Sequence, residues 1–218
     1  MTNKGTLIYA SLIMFLQFFV SNLSVKGQEI NTGMKDIEGF KINMKKASES
    51  TMSISSDFIQ LKHLSFLEED VKSEGVFYFE KDNKLRWEYA SPFYYLIIFK
   101  GDSIMIRDDN KTNIYDAASG RMFKEINQIM VEMVNGSMLE SKNFEISFFE
   151  NPSSFILELF PIDENMKEFL SKIIIHINRE NYTADELYML ERSEDYTHIQ
   201  FINKRLNESI PKHIFDLP

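Results

Sequence analysis

The feature that most constrains the fold of this chain is an aromatic segment, residues 75–92. It begins with strand-forming residues, passes through a polar stretch at residues 81–84 that predicts a turn, and continues with alternating apolar and charged residues. Because alternate side chains of a strand point to the same face of a sheet, Leu85, Trp87 and Tyr89 share one face. We expect that face to be either ordinary core or the lining of an apolar cavity.

The amino-terminal residues have the pattern of an export signal. Lys4 precedes an uncharged run of about 14 residues, and small residues before position 28 suit a signal peptidase. A helix needs about 20 apolar residues to cross a bilayer, so a retained anchor is the weaker interpretation. We therefore predict a cleaved signal peptide over residues 1–27, a single domain over residues 28–218, and a periplasmic location.

Composition excludes several classes of protein. The chain has no cysteine, which excludes disulfides, cysteine metal sites and thiol catalysis. Its net charge of −9 becomes −11 once the predicted signal is removed, because that segment contains Lys4 and Lys26 and no acidic residue. Nucleic acid and anionic membrane surfaces are therefore poor partners.

Apolar spacing predicts two helices in a chain that otherwise consists of strands. Residues 34–49 carry apolar side chains at intervals of three and four, and residues 123–134 repeat that pattern before Asn135 and Gly136. Strands are predicted at residues 52–66, on both sides of the turn at 81–84, at 94–99, from 104, and at 144–149, 155–160, 172–177, 186–191, 198–203 and 210–217.

Roughly ten antiparallel strands in one sheet must curl or close. We predict a mainly β fold with helices, of the α+β class, in which a curled antiparallel sheet forms an unclosed barrel covered by a helical lid. The aromatic face would then lie inside, under the two helices.

Catalytic and metal-binding patterns are scarce. His63, His176, His198 and His213 do not have metal-ligand spacing, and the acidic pairs fall in turn-like segments. The chain has no nucleophile elbow and no glycine-rich phosphate loop. We expect no enzyme activity, no catalytic residues, no metal and no cofactor.

Methionines gather in or beside the second predicted helix, at Met122, Met130, Met133 and Met138. They are either gap-filling core or part of an adjustable apolar cavity, because methionine repacks readily around ligands of variable shape.

The order of these segments resembles the periplasmic outer-membrane lipoprotein carrier proteins (LolA-like). The resemblance rests on residues 56–60, 75–79 and 85–89, on Pro92, and on residues 100–102. It implies an unclosed antiparallel barrel with a helical lid, which encloses a cavity for the acyl chains of lipoproteins. It also implies acylated lipoproteins as cargo, an inner-membrane ABC exporter and an outer-membrane receptor as partners, and a monomer.

The resemblance also implies where ligand would bind. The expected acyl-chain cavity is lined on the sheet by Phe77, Phe79, Leu85, Trp87 and Tyr89, and on the lid by Phe123, Ile126, Met130 and Met133. Members of the family carry an arginine that bonds toward the lid; this chain has Lys81 at that position, which makes Lys81 the candidate lid latch. Lysine keeps the charge and loses the planar fork.

The function expected from the sequence is therefore a periplasmic carrier that moves lipoproteins from the inner to the outer membrane. Two alternatives stay open: a carrier of another lipid or acyl product with the same fold, and a protein-docking module of the cell envelope that is not an enzyme.

Overall fold

Strand-forming residues dominate the structure. The computed structural model describes residues 31–81, 84–101, 103–108, 111–116 and 137–216, and all of these belong to one compact unit, Asn31–Pro218. They contain twelve strands: β1 Thr32–Gly33, β2 Ser53–His63, β3 Val71–Glu80, β4 Lys84–Ser91, β5 Tyr95–Lys100, β6 Ser103–Asp108, β7 Thr112–Asp116, β8 Phe144–Glu150, β9 Ser154–Pro161, β10 Leu170–Asn178, β11 Ala184–Glu191 and β12 Tyr196–Leu206.

The strands form a single antiparallel sheet in the order β1-β8-β9-β10-β11-β12-β2-β3-β4-β5-β6-β7. Two meanders, β2 to β7 and β8 to β12, are joined where β12 pairs with β2, with Phe201 opposite Phe58. Among the described strands, β1 and β7 are the two ends of this order and do not pair with each other, so the sheet is unclosed. The mainly β, unclosed antiparallel architecture is therefore confirmed.

The first predicted helix is also confirmed. Helix α1 spans Ile37–Ser50, and the side chain of Asp36 caps it by accepting a hydrogen bond from the Gly39 N–H at 2.9 Å. The apolar stripe of α1 buries Phe40 and Met44. The helix ends at Thr51, whose backbone is extended and leads directly into β2.

The aromatic segment forms the predicted hairpin. Phe77 lies opposite Trp87 across β3 and β4, and Trp87 lies opposite Ile97 across β4 and β5. A tight approach occurs at Gly75, where a Cβ atom would lie 1.9 Å from the carbonyl oxygen of Glu88 and 2.7 Å from the ring of Phe58. Only glycine leaves room for that ring.

Three parts of the predicted chain differ from the structure. The carboxy-terminal segment was expected to be an edge strand, but Lys212–Phe215 form a 3-10 turn after Pro211. The turn packs on β4, where the Arg86 Nη1 donates to the carbonyl oxygen of Ile214 at 2.9 Å. A short helix, α2 Glu164–Phe169, was not predicted; Asp163 caps it. The return strand expected from residue 104 is two strands, β6 and β7.

The second predicted helix, residues 123–134, lies outside the described residues. Directly after it, Ser137–Glu140 form a 3-10 turn that buries Met138. Among the described residues, no helix has the length and apolar character needed to cross a membrane.

Candidate functional site

One side of the sheet and the apolar stripe of α1 form a continuous core. The ring centroid of Phe40 lies 4.9 Å from that of Phe155 on β9 and 6.2 Å from that of Phe148 on β8. Both residues belong to the first strands of the second meander, so α1 covers that half of the sheet. The remaining aromatic face belongs to the same core cluster.

A cluster of aromatic rings surrounds Trp87 on the first meander. Its ring centroid lies 4.7 Å from Phe58, 5.5 Å from Phe77 and 5.9 Å from Phe201. The indole N–H of Trp87 is buried and, in the part of the chain that the structure describes, has no hydrogen-bond partner with acceptable geometry. A buried donor without a partner is costly and therefore rare in a core.

The cluster ends at Tyr89, whose hydroxyl donates to the Gln60 Oε1 at 2.9 Å. Burial is the main cause that raises the pKa of Tyr89. The neutral phenol is therefore the form that the folded protein stabilises.

The structure brings the predicted sheet residues together. Phe77, Phe79, Leu85 and Trp87 are all buried, and Tyr89 is partly buried beside them. The predicted lid residues Phe123, Ile126, Met130 and Met133 lie outside the described residues. A ligand-binding role for either group stays a prediction.

An apolar cavity of about 60 Å³ lies between the second half of α1 and the sheet. It is bounded by β2, β3 and β12 and by the connection between β10 and β11. Its lining consists of Met44, Ala47, Ser48, Thr51, Ile54, Ser56, Phe77, Asn181, Tyr182, Thr183, Ala184, Phe201 and Lys204. A second void of about 20 Å³ lies beside it, and Met44, Tyr182 and Ala184 line both.

Of the predicted sheet residues, only Phe77 lines this cavity. Sequence reasoning missed the residues from α1 and from the β10–β11 connection. Met44 and Ala47 could have been found, because they belong to the apolar stripe that was predicted to dock on the sheet. Tyr182 and Ala184 carry no such signal, since they reach the cavity only through the pairing of distant strands.

Tyr182 is held in an uncommon conformation at the cavity wall. Its φ of 57° lies in the left-handed region, which is unusual for a bulky residue. Its ring stacks on Phe155, with centroids 5.6 Å apart, and its N–H donates to the carbonyl oxygen of Asn178 at 3.1 Å. This conformation places an aromatic ring between α1 and the sheet.

The one charged side chain among the described residues that line the cavity, Lys204, is fully engaged by protein acceptors. The Lys204 Nζ donates to the Thr183 Oγ1 at 2.8 Å and to the carbonyl oxygen of Ala184 at 2.9 Å, and it forms an ion pair with Asp185. Because these acceptors satisfy the ammonium group, the cavity presents mainly apolar surface to a ligand.

Lys81, the candidate latch, contacts the first helix. Its Nζ donates to the carbonyl oxygen of Glu49 in the last turn of α1 at 2.8 Å, and its N–H donates to the carbonyl oxygen of Met52 at 2.9 Å. A cation at the carboxy-terminal end of a helix interacts favourably with the helix dipole. Lys81 therefore fastens α1 to the end of β3.

Within the described ranges, no group of three or more histidine, aspartate or glutamate side chains is arranged to hold a metal ion. His63 instead pairs with Asp70 in the β2–β3 connection at 2.8 Å, and His198 on β12 pairs with Glu186 on β11 at 2.9 Å. These contacts lie apart from the cavity, and they stabilise the sheet.

The fold and the site define a class of protein in which an open antiparallel sheet and a helix enclose apolar space. The chain belongs to the LolA family: residues 49–218 match the family described as outer membrane lipoprotein carrier protein LolA. No curated protein sequence matches the chain.

Solved structures are similar to this chain at low sequence identity. An uncharacterized conserved protein from Thermus thermophilus is 6% identical with a TM-score of 0.51, over 82% of this chain and 92% of that one. An outer membrane lipoprotein-sorting protein domain from Vibrio parahaemolyticus is 9% identical, with a TM-score of 0.45 over 82% and 95%. A LolA superfamily protein from Nitrosomonas europaea is 10% identical, with a TM-score of 0.41 over 81% and 97%. Of these three, the Thermus thermophilus protein has a TM-score above 0.5, and at 6% identity that likeness concerns the fold alone.

Proposed function

We propose that this chain is an exported, non-enzymatic carrier that shields the acyl chains of lipoproteins while they move from the inner to the outer membrane. The observation that carries the proposal is the apolar cavity between α1 and the aromatic face of the sheet. Membership of the LolA family supports a lipid-binding or carrier role. Apolar contacts are non-directional, so cargo can be received and released without covalent chemistry.

The cavity must enlarge to hold an acyl chain. Ligand pockets typically measure about 300–1,000 Å³, whereas this one measures about 60 Å³. Met44 lines both the cavity and the second void, and a methionine side chain can change rotamer at low cost. A change at Met44 would join the two spaces, and displacement of α1 would enlarge them further.

Displacement of α1 is energetically feasible. The helix fully buries two side chains, Phe40 and Met44, whose exposure would cost roughly 3–6 kcal/mol. Burial of five acyl methylenes contributes about 4 kcal/mol at about 0.8 kcal/mol each. A single acyl chain can therefore offset most of the cost of moving the helix.

In this proposal the lid includes α1 and the second predicted helix. Lys81 would hold the closed position through its bond to Glu49, and Phe123, Ile126, Met130 and Met133 would complete the apolar cover. An ABC exporter in the inner membrane and a receptor in the outer membrane would load and unload the carrier.

The test is native mass spectrometry of the full chain, produced in a bacterial host and purified from the envelope without detergent. The expected result is bound acylated protein, or uptake of a triacylated peptide by the apo protein. Bound free lipid alone would favour a carrier of another lipid. A mass that stays apo in the presence of the peptide would contradict the carrier function.

A matched pair of variants connects uptake to the cavity. Ala184 lines both voids, so Ala184→Met should fill them and reduce uptake of the triacylated peptide at least about fivefold, since contacts with buried methylenes are lost. Ala90 is exposed on β4, so Ala90→Met should bind as the wild type does. Equal uptake by both variants would place the ligand elsewhere.

A further inference from the structure

Exposed apolar side chains gather at one end of the sheet. Five of them lie in three connections that the antiparallel pairing brings to the same end: Phe66 and Leu67 between β2 and β3, Phe93 between β4 and β5, and Ile162 and Phe169 around α2 between β9 and β10. At the opposite end, Met52 is the one large hydrophobic side chain in the described connections that is similarly exposed, at 55%.

The two most exposed of these side chains are in neighbouring hairpins. Phe66 is 78% exposed and Phe93 is 76% exposed. Their connections join β2 to β3 and β4 to β5, and adjacent strands lie about 4.8 Å apart, so the two tips are separated by about 10 Å across the sheet. Two phenylalanines with this exposure on adjoining tips form a candidate interaction surface.

The first of these tips is held in position by the strands around it. The Ser65 N–H donates to the Asp195 Oδ1 at 2.8 Å, and the Leu67 N–H donates to the carbonyl oxygen of Leu64 at 2.8 Å. At its base, Asp70 bonds to His63 at 2.8 Å. The loop therefore presents Phe66 and Leu67 from a rigid support.

We propose that this end of the sheet docks on a zwitterionic phospholipid bilayer, with Phe66, Leu67 and Phe93 inserted into the interfacial region. Phe66, Leu67 and Phe93 line neither the cavity under α1 nor the void beside it. They project singly from separate tips, which a fluid interface accepts without a matching shape, and aromatic and leucine side chains favour that depth.

Acidic residues near the apolar tips favour a membrane without net negative charge. Glu68, Glu69 and Asp70 directly follow the first tip. The neighbouring β11–β12 connection contains Arg192, Glu194 and Asp195, so acidic residues outnumber basic ones in these two connections. The segment from Ser91 to Tyr94 carries no charge. Anionic headgroups would be repelled by the carboxylates, whereas zwitterionic headgroups allow the apolar tips to enter.

This proposal does not depend on the cavity. The cavity lining includes Thr51, Thr183 and Lys204, which lie at the opposite end of the sheet from Phe66 and Phe93. Failure of acyl-chain uptake and failure of membrane docking can therefore be observed separately.

The first test uses the full chain and vesicles of phosphatidylcholine that contain a dibrominated phosphatidylcholine, which quenches tryptophan at the depth of the acyl chains. The wild type has one tryptophan, Trp87, which is 4% exposed and provides the baseline. Added fluorescence from Phe93→Trp should be quenched about twofold, whereas that from Met52→Trp, at the other end, should stay unquenched. Equal quenching of the two variants, or no quenching, would overturn the proposal, and the latter would leave a protein partner as the occupant of this surface.

The second test measures partition into the same vesicles. The double variant Phe66→Ser/Phe93→Ser should bind about tenfold more weakly than the wild type, because two buried rings are lost. Met52→Ser is the matched control and should bind as the wild type does. Replacing a third of the lipid with phosphatidylglycerol should weaken binding by the wild type; stronger binding would overturn the assignment to a zwitterionic surface.

Discussion

The side-chain amine of Lys81 lies 2.8 Å from the main-chain carbonyl oxygen of Glu49 and donates a hydrogen bond to it. Lys81 follows the last residue of β3, and Glu49 belongs to the last turn of α1. One side chain therefore connects the aromatic hairpin to the helix that covers the cavity. The bond uses a carbonyl group that the end of a helix leaves without an intrahelical partner.

Replacement of Lys81 should loosen α1 without unfolding the sheet. Lys81→Met keeps the length of the side chain and removes the donor, so the free energy of unfolding should fall by about 0.5–1 kcal/mol. Amide hydrogen exchange in residues 44–50 should become faster, and uptake of an acyl probe should accelerate. Lys81→Arg, which keeps a donor, should behave nearly as the wild type; equal protection in all three proteins would show that the bond does not hold the helix.

Gly75 should tolerate no side chain. A Cβ atom there would lie 1.9 Å from the main-chain oxygen of Glu88, so β3 and β4 would have to separate. We expect Gly75→Ala to lower the free energy of unfolding by about 3 kcal/mol. Urea denaturation provides the measurement, and Gly33→Ala is the control, because no described residue beyond its chain neighbours has an atom within 4 Å of its Cβ position. A similar loss in both variants would contradict this account of the close approach.

Trp87 combines a well-packed ring with a donor that has no partner in the described structure. A buried donor without a partner costs about 1–3 kcal/mol. Trp87→Phe removes this N–H, so the cost that disappears should offset much of the packing energy that is lost. The variant should therefore be within about 1.5 kcal/mol of the wild type in thermal or urea unfolding, whereas Trp87→Ala should cost about 3–5 kcal/mol. A loss from Trp87→Phe as large as that from Trp87→Ala would mean that the N–H is satisfied in solution.

Tyr188 should make stability depend on alkaline pH. Burial, followed by the hydrogen bond to Glu186 and the charge of that residue, raises the pKa of Tyr188 from 10.0 to about 12. A folded-state pKa above the unfolded value means that this stabilisation is complete below pH 10 and is lost as the pH rises from 10 toward 12. Absorbance titration at 295 nm should show a late-titrating component to which Tyr188 contributes beside Tyr89 and Tyr196. Tyr188→Phe should reduce that component, and the variant should lose less stability over that interval. An unchanged titration curve would contradict the shift.

Local pattern was enough to predict the parts of the fold in which burial alternates along the chain. β3 and β4 alternate between buried and partly exposed residues from Gly75 to Trp87, as the aromatic segment indicated. The spacing of Phe40 and Met44 likewise predicted α1 and the face that it buries. In both cases one face of a helix or strand packs on the core, so the spacing of apolar residues in the sequence matches the period of that helix or strand.

The same approach failed where contacts rather than periodicity decide the structure. Residues around Ile210 and Ile214 have the apolar pattern of a strand, yet this segment turns and packs on β4 through Arg86. Helix α2 is six residues long, too short to display a period. Its start depends on Asp163, which accepts hydrogen bonds from the N–H groups of Asn165 and Met166.

By itself, the sequence determined the predominance of strands, the first helix, the aromatic face and the resemblance to lipoprotein carriers. The tertiary structure alone decided which residues enclose the cavity and which loops share an end of the sheet. Tyr182 and Ala184 meet Met44 because β12 joins the two meanders, and Phe66 and Phe93 reach the same end because antiparallel pairing sets the direction of each hairpin. Side-chain periodicity is a property of single elements, whereas a cavity or a docking surface depends on strand order and register, which are fixed by contacts between distant parts of the chain.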